Sequence, residues 1–148
     1  MPVLKDDNVL RLLKQLNLVL EGTINHMFSS SGLTAAQCDV LSYLTAHESP
    51  NLVATAVHRD LHISRASVST LLKRLKGKGY LNFQASPDDD RQKRIVLTEK
   101  ARRMKLEMER KALIIDEKIY EGFSQEERTA LEHMIRHMIS NLASDYSS

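Results

Sequence analysis

Hydrophobic positions recur at three- and four-residue spacings through most of this chain, and the interruptions mark where helices stop. Residues 5–28 carry Leu10, Leu13, Leu16, Leu20, Ile24 and Met27 along one side, with Leu12, Val19 and Phe28 on others. That pattern predicts a first helix buried against two neighbours. Ser29-Ser30-Ser31-Gly32 breaks it, and Thr34-Ala35-Ala36-Gln37 has the capping-box spacing that opens a second helix bearing Val40, Leu41, Tyr43 and Leu44. His47-Glu48-Ser49-Pro50-Asn51 ends this helix; a short third one is predicted over Val53 to Leu61, then a turn at His62-Ile63 and a cap at Ser64.

From Ser64 to Lys76, Val68, Leu71, Leu72 and Leu75 form one apolar face. The opposite face holds Ala66, Ser69, Thr70 and Lys73, with Ser67 and Arg74 at its edges, and none of these blocks close approach to another surface. Short hydroxyls with long cations suit a helix lying in a DNA major groove; a merely solvated face is the plainer alternative. Gly79 can close the helix in the left-handed conformation. Tyr80 to Ala85 and Arg94 to Leu97 then alternate as strands about a turn at Ser86 to Arg91, which makes a two-stranded ribbon. Helix, short turn, helix and hairpin in this order is the layout of a winged helix-turn-helix, whose second helix reads DNA.

After the ribbon, Thr98 caps a long helix to about Ile119, Glu121-Gly122-Phe123 interrupts, and Ser124-Gln125-Glu126-Glu127 is a second capping box. The last helix carries Leu131, Met134, Ile135, Met138, Ile139 and Leu142. The terminal helices are more apolar than a lone winged helix can cover, so a second copy of the chain is expected against them; an intrachain bundle is the alternative. The fold class expected is mainly α with a small β-hairpin wing. Its predicted parts are an N-terminal dimerisation helix (1–32), a winged helix-turn-helix lobe (33–105) and C-terminal dimerisation helices (106–148).

Charge sharpens this division. The 148 residues carry a net charge of +2, yet residues 58–105 hold 13 Lys and Arg against 5 Asp and Glu, a balance of +8, and the remainder balances at −6. A basic middle between acidic ends is the electrostatic footprint of a nucleic-acid face on a separate scaffold. Nothing resembles a leader or a membrane span, so a cytoplasmic location is expected. The single Cys38 excludes an intrachain disulfide; burial is its default reading and redox sensing the alternative.

The pairs His58/His62 and His133/His137 have the i, i+4 spacing of metal ligands, but no third His or Cys accompanies either, so structural or surface roles are expected. His58-Arg59-Asp60-Leu61-His62 lacks the glutamate of zinc hydrolases, and no phosphate loop, serine elbow or activated thiol is present. We therefore expect no enzyme, no cofactor and no metal.

Several motifs together resemble the MarR (multiple antibiotic resistance regulator) family. They are Leu33-Thr34-x-x-Gln37-x-x-Val40-Leu41, then Ile63-Ser64-x-x-Ser67-Val68-Ser69-x-Leu71-Leu72-x-x-Leu75, Lys78-Gly79-Tyr80, and Asp89-x-Arg91-x-Lys93-x-x-x-Leu97-Thr98-Glu99-Lys100. By motif the resemblance covers residues 33–101, and by layout about the whole chain. The sequence departs from the family pattern at Ala101 and His62, where glycines are usual, and in the acidic run Asp88, Asp89 and Asp90.

The resemblance implies a homodimeric, sequence-specific transcriptional regulator, a repressor, on a pseudo-palindromic operator in double-stranded DNA. Arg65, Ala66, Ser67, Ser69, Thr70, Lys73 and Arg74 would face DNA. Arg91 would enter the minor groove with Asp89 holding its side chain, and Lys93 and Arg94 would meet phosphates. The resemblance also implies a small amphipathic or aromatic effector in a cleft walled by the first, second and fifth helices, near Tyr43, His26 and Met27. An architectural or protein-interaction module without a defined operator is the competing expectation.

Overall fold

The computed structural model describes residues 8–85 and 92–146. Its elements in order are α1 (Val9–Met27), a 3-10 turn (Ser29–Ser31), α2 (Ala35–Ala46), α3 (Ala54–Leu61), α4 (Arg65–Gly77), β1 (Leu81–Ala85), β2 (Lys93–Leu97), α5 (Glu99–Ile119) and α6 (Gln125–Tyr146). The chain divides into two compact units, Met1–Glu109 and Arg110–Ser148. Wing-tip residues Asp88, Asp89, Asp90 and Arg91, like residues 5–7 of the expected first helix, lie outside the described residues.

The first unit is organised around the buried sides of α2, α3, α4 and the hairpin. Val40, Leu41 and Leu44 of α2, Val57 of α3 and Val68, Leu72 and Leu75 of α4 pack with Leu81, Ile95 and Leu97. Val68, Leu72 and Leu75 are buried as the periodicity requires, and Leu71 is half-buried at the edge. Antiparallel pairing runs from Leu81↔Leu97 to Ala85↔Lys93. A short extra edge joins the hairpin: Ile95 N–H donates to the Leu52 carbonyl at 2.8 Å and Val53 bridges Arg94. That edge ties the loop before α3 to the ribbon, which brings α3, α4 and the wing around one space.

Helix boundaries follow their caps. Thr34 Oγ1 accepts from Gln37 N–H at 3.2 Å while Gln37 Oε1 accepts from Thr34 N–H at 3.3 Å, the reciprocal box that α2 was expected to open with. Ser124 and Glu127 form the same device at the start of α6, at 3.1 and 3.0 Å. The Ser124 backbone N–H foremost, and then the Ser124 side chain, pull the Glu127 carboxyl below its ordinary pKa.

The Lys78-Gly79-Tyr80 motif now has a physical task. Lys78 Nζ donates to the Gly32 carbonyl and, at 2.6 Å, to Gln37 Oε1, so one ammonium holds the entrance to α2 against the exit of α4. Gly79 has φ of +86°, which reverses the chain into β1. Tyr80 is buried, with the Lys100 ammonium 4.5 Å from its ring centroid. Thr98 Oγ1 donates to the Gly79 carbonyl at 2.7 Å and accepts from Ala101 N–H at 3.4 Å, closing the wing onto α5. Ala101, at a usual glycine position of the family, is fully buried, so its methyl group adds to the core.

His62 takes the left-handed conformation at φ 55° between α3 and α4. A β-branched residue resists that geometry, so His62→Val is expected to lower stability by about 1–2 kcal/mol. His62→Gly should stay within about 1 kcal/mol of the parent, because relief of strain offsets added chain entropy. Urea unfolding of the two variants checks this; equal stabilities would mean that the turn relaxes.

The expectation that α1 is buried on two sides is not met within one chain. None of its residues is buried, and Leu10, Leu16 and Val19 are 55%, 46% and 61% exposed. Its anchor to the first unit lies at the other end, where Phe28 enters the core and Ala35 N–H donates to Asn25 Oδ1 at 2.6 Å. In the second unit, Arg128 joins α6 to α5 by its 2.8 Å bond to Asp116 and stacks 4.3 Å from the Tyr120 ring centroid. Leu113, Ile114, Met138, Ile139 and Leu142 remain exposed.

Candidate nucleic-acid interface

α4 presents a continuous polar surface. Arg65, Ala66, Ser67, Ser69, Thr70, Lys73 and Arg74 are all exposed, opposite the buried Val68, Leu72 and Leu75. Its start is fixed by Ser64, whose Oγ accepts from Ser67 N–H at 3.1 Å and donates to Ser67 Oγ at 2.8 Å. Thr70 Oγ1 donates to the Ala66 carbonyl at 3.1 Å, so that hydroxyl proton is committed to the helix and the oxygen lone pairs face outward as acceptors.

The turn that aims α4 is closed by His58. Its Nδ1 lies against the Ile63 carbonyl, and since a carbonyl only accepts, that nitrogen carries the proton and donates. His62 stands beyond the end of α3 in the left-handed turn, so the His58/His62 pair is not two ligands on one helical face. His133 and His137 are exposed on α6, and no cluster of metal-ligating side chains occurs among the described residues. Cys38 is buried, as the default reading expected.

Lys93 is exposed on β2. Arg94, by contrast, is half-buried: Nη2 donates to Gln84 Oε1 at 2.7 Å and Nη1 to the Pro50 carbonyl at 3.5 Å, so it braces the hairpin against the loop before α3. Several other cations of the basic middle have internal tasks. Lys78 and Lys100 hold the α4–β1 junction, and Arg102 meets Glu48 at 2.8 Å. The cations left on the α4 and wing surface are chiefly Arg65, Lys73, Arg74 and Lys93.

Between α3, α4 and β2 runs a groove of about 390 Å³. Val68, Leu72 and Phe83 contribute its apolar floor, and Arg65, Lys73 and Lys93 its cationic rim. Thr55 and His58 of α3 also line it, and sequence reasoning missed both as surface-facing residues of this site. No helix periodicity marks them, because the groove arises only when the Leu52–Ile95 hydrogen bond draws the loop before α3 onto the wing.

Tyr43, considered for an effector cleft, donates its hydroxyl to Asp60 Oδ2 at 2.6 Å and stacks on His47 with ring centroids 4.2 Å apart. Burial, then the Asp60 contact, raises its pKa; Arg59 and the Tyr43 hydroxyl together lower that of Asp60. The arrangement links α2 to α3 through the outward end of the tyrosine.

A MarR family model matches residues 31–92, the stretch that contains the helix-turn-helix and the first strand. Over 85 residues the chain is 31% identical to the HTH-type transcriptional regulator SarZ of Staphylococcus haemolyticus; the match takes in 56% of this chain and 55% of that protein, about half its length. The structure of S. aureus MepR in complex with DNA superposes with a TM-score of 0.85 at 19% identity, covering 94% of this chain and 99% of that one. Bordetella bronchiseptica BpsR, in a structure concerned with regulation of its DNA binding by 6-hydroxynicotinic acid, gives 0.81 at 27% identity, with 93% and 97% covered. These likenesses agree with the architecture just described, mainly helical with a two-stranded wing, and the stretch 31–92 matches the MarR family.

Proposed function

We propose that this protein is a homodimeric, sequence-specific transcriptional repressor whose α4 enters the major groove of an operator half-site. The observation that carries this reading is the exposed face of α4, short hydroxyls flanked by Arg65, Lys73 and Arg74, held at a fixed angle by the Ser64 cap and the His58–Ile63 hydrogen bond. Two copies related by a two-fold axis would place their α4 helices in successive major grooves about 34 Å apart. Lys93 would meet the backbone beside the wing, and Asp89 and Arg91 would reach the minor groove by their place in the family motif. Arg94 supports this surface from behind rather than meeting a phosphate itself.

The match of residues 31–92 to a family of transcription regulators supports a DNA-binding role rather than an enzymatic one. Among the described residues no helix is long and apolar enough to cross a membrane. A cytoplasmic location fits these features. A small amphipathic or aromatic effector would release DNA by favouring a dimer with a different separation of its α4 helices. Regulation of BpsR by 6-hydroxynicotinic acid supports that class of ligand.

Two groups of substitutions test the assignment of the face. Lys73→Ala is expected to weaken binding to all duplexes and to lower the salt slope by about 1 for each copy bound. Ser67→Ala and Thr70→Ala should instead change the preferred base at particular positions, by about 1–3 kcal/mol each. Titration of a randomised operator library at two salt concentrations separates these effects. If all three variants bind as the parent does, α4 is not the reading element; uniform affinity across the library would indicate an architectural module.

A further inference from the structure

We infer that Lys78 is a positioning residue for operator binding: its ammonium and its backbone carbonyl form the joint through which α1 and α5 set the spacing of the two reading helices. This rests on the dimeric DNA-binding reading above and goes beyond it, since it assigns the spacing to a cation committed inside the protein.

Lys78 is the C-cap of α4, and its half-buried side chain reaches two other elements. Nζ donates to the Gly32 carbonyl, in the link between α1 and α2, and at 2.6 Å to Gln37 Oε1 on the first turn of α2. Two of the three ammonium protons are therefore committed within the protein. The Lys78 carbonyl in turn accepts from Lys100 Nζ on the first turn of α5. At the far end of the same path, Asn25 Oδ1 on the last turn of α1 accepts from Ala35 N–H at 2.6 Å, beside the Thr34–Gln37 box. A short polar relay from Asn25 through the start of α2 to Lys78 thus joins α1 to the end of α4, and Lys100 adds α5.

Apolar packing at this junction cannot supply the same control. Phe28 enters the core here, but apolar burial is non-directional, whereas a charge-assisted hydrogen bond fixes both distance and angle. α1 leaves Leu10, Leu16 and Val19 uncovered within one chain, the surface that a second copy would occupy. The helix that meets the partner is therefore bonded, through Lys78, to the helix that meets DNA. Small rotations at the joint shift the two α4 helices along a duplex whose base pairs are about 3.4 Å apart, so a loose joint costs affinity only where both half-sites must be met together.

Lys78→Met keeps the apolar stem and removes the charge. Gln37 Oε1 retains the Thr34 N–H and the exposed Gly32 carbonyl turns to water, so the melting temperature is expected within about 4 °C of the parent's. The probes are duplexes built on the tightest sequence from the randomised library, with one half-site, with two, and with two set one base pair closer or further apart. On the two-half-site duplex Lys78→Met should bind about tenfold or more weakly, on one half-site within about twofold of the parent, and with the parent's salt slope. Its loss on altered spacing should be about half the parent's or less, which neither a phosphate contact nor a general loss of stability would produce. Asn25→Ala, at the other end of the relay, should act in the same direction and serves if Lys78→Met folds poorly. Equal losses on one and two half-sites, with a salt slope lowered by about 1 per copy, would make Lys78 a phosphate contact and overturn the joint. Parent-like affinities and spacing preference in both variants, with Lys73→Ala still weakened, would overturn it and leave the DNA reading intact. A parent that binds one and two half-sites equally fails the dimeric reading, and the joint with it.

Discussion

A chain carrying Leu16→Glu and Ile139→Glu is expected to sediment as a monomer and to bind its operator at least a hundredfold more weakly. Both side chains are about half-exposed in the single chain, at 46% and 56%, in helices that leave most of their apolar residues exposed within their own unit. Burying a Leu or Ile is worth about 1.5–3 kcal/mol, and a two-fold interface counts each substitution twice. Two lost side chains per copy therefore remove roughly 6–12 kcal/mol of association, before the cost of burying carboxylates. Weakening of DNA binding follows because linked half-site contacts gain about 10²–10⁴ in avidity, which a monomer forfeits. Sedimentation combined with binding to one- and two-half-site duplexes measures both effects. A variant that remains dimeric would place the interface elsewhere. The first unit has its own core, so the helical circular dichroism should survive the change.

Leu72→Ala in α4 is expected to cost about 2–5 kcal/mol of stability. Leu72 is 2% exposed, packs in the core of the first unit, and also underlies the groove. At about 2–4 °C per kcal/mol for a chain of this size, the melting temperature should fall by roughly 4–20 °C. Ser69→Ala, one turn earlier and exposed, should stay within about 0.5 kcal/mol. Leu71→Ala, at the half-buried edge, should fall between them. Thermal unfolding of the three variants ranks them. If Leu72→Ala melted like Ser69→Ala, α4 would not be held by its apolar face.

Local signals carried most of the architecture. Thr34 and Ser124 announced helix starts because each capping box is complete within four residues, and the structure contains both. Val68, Leu72 and Leu75 were legible as a buried face because helical periodicity is a property of one element alone. The Lys78-Gly79-Tyr80 motif was visible as a pattern, whereas its work was not. That work depends on Gln37 and Gly32, which lie more than 40 residues away.

Charge composition alone painted too simple a picture of the basic middle. Arg94 sits in the basic middle and was expected at a phosphate, yet its guanidinium spans Gln84 and Pro50. Lys78, Lys100 and Arg102 likewise serve folding contacts. A count of cations cannot distinguish these from Lys73 and Lys93, because partners brought in by tertiary structure decide which charges face outward. Thr55 and His58 could not be placed beside the wing for the same reason, since only the pairing of Leu52 with Ile95 sets α3 there. Helix α1 shows the converse case. Its many-sided apolarity was read as burial, and within one chain it is an uncovered surface.

Binding of the purified full chain to the DNA upstream of its own coding sequence, at two salt concentrations and with excess unrelated duplex, tests the central claim most directly. The account predicts a retained complex of two chains per site, weakening steeply with salt as cations on both copies release counterions. Complete loss of binding to the competitor, at either salt concentration and on every upstream fragment, would contradict a sequence-specific regulator.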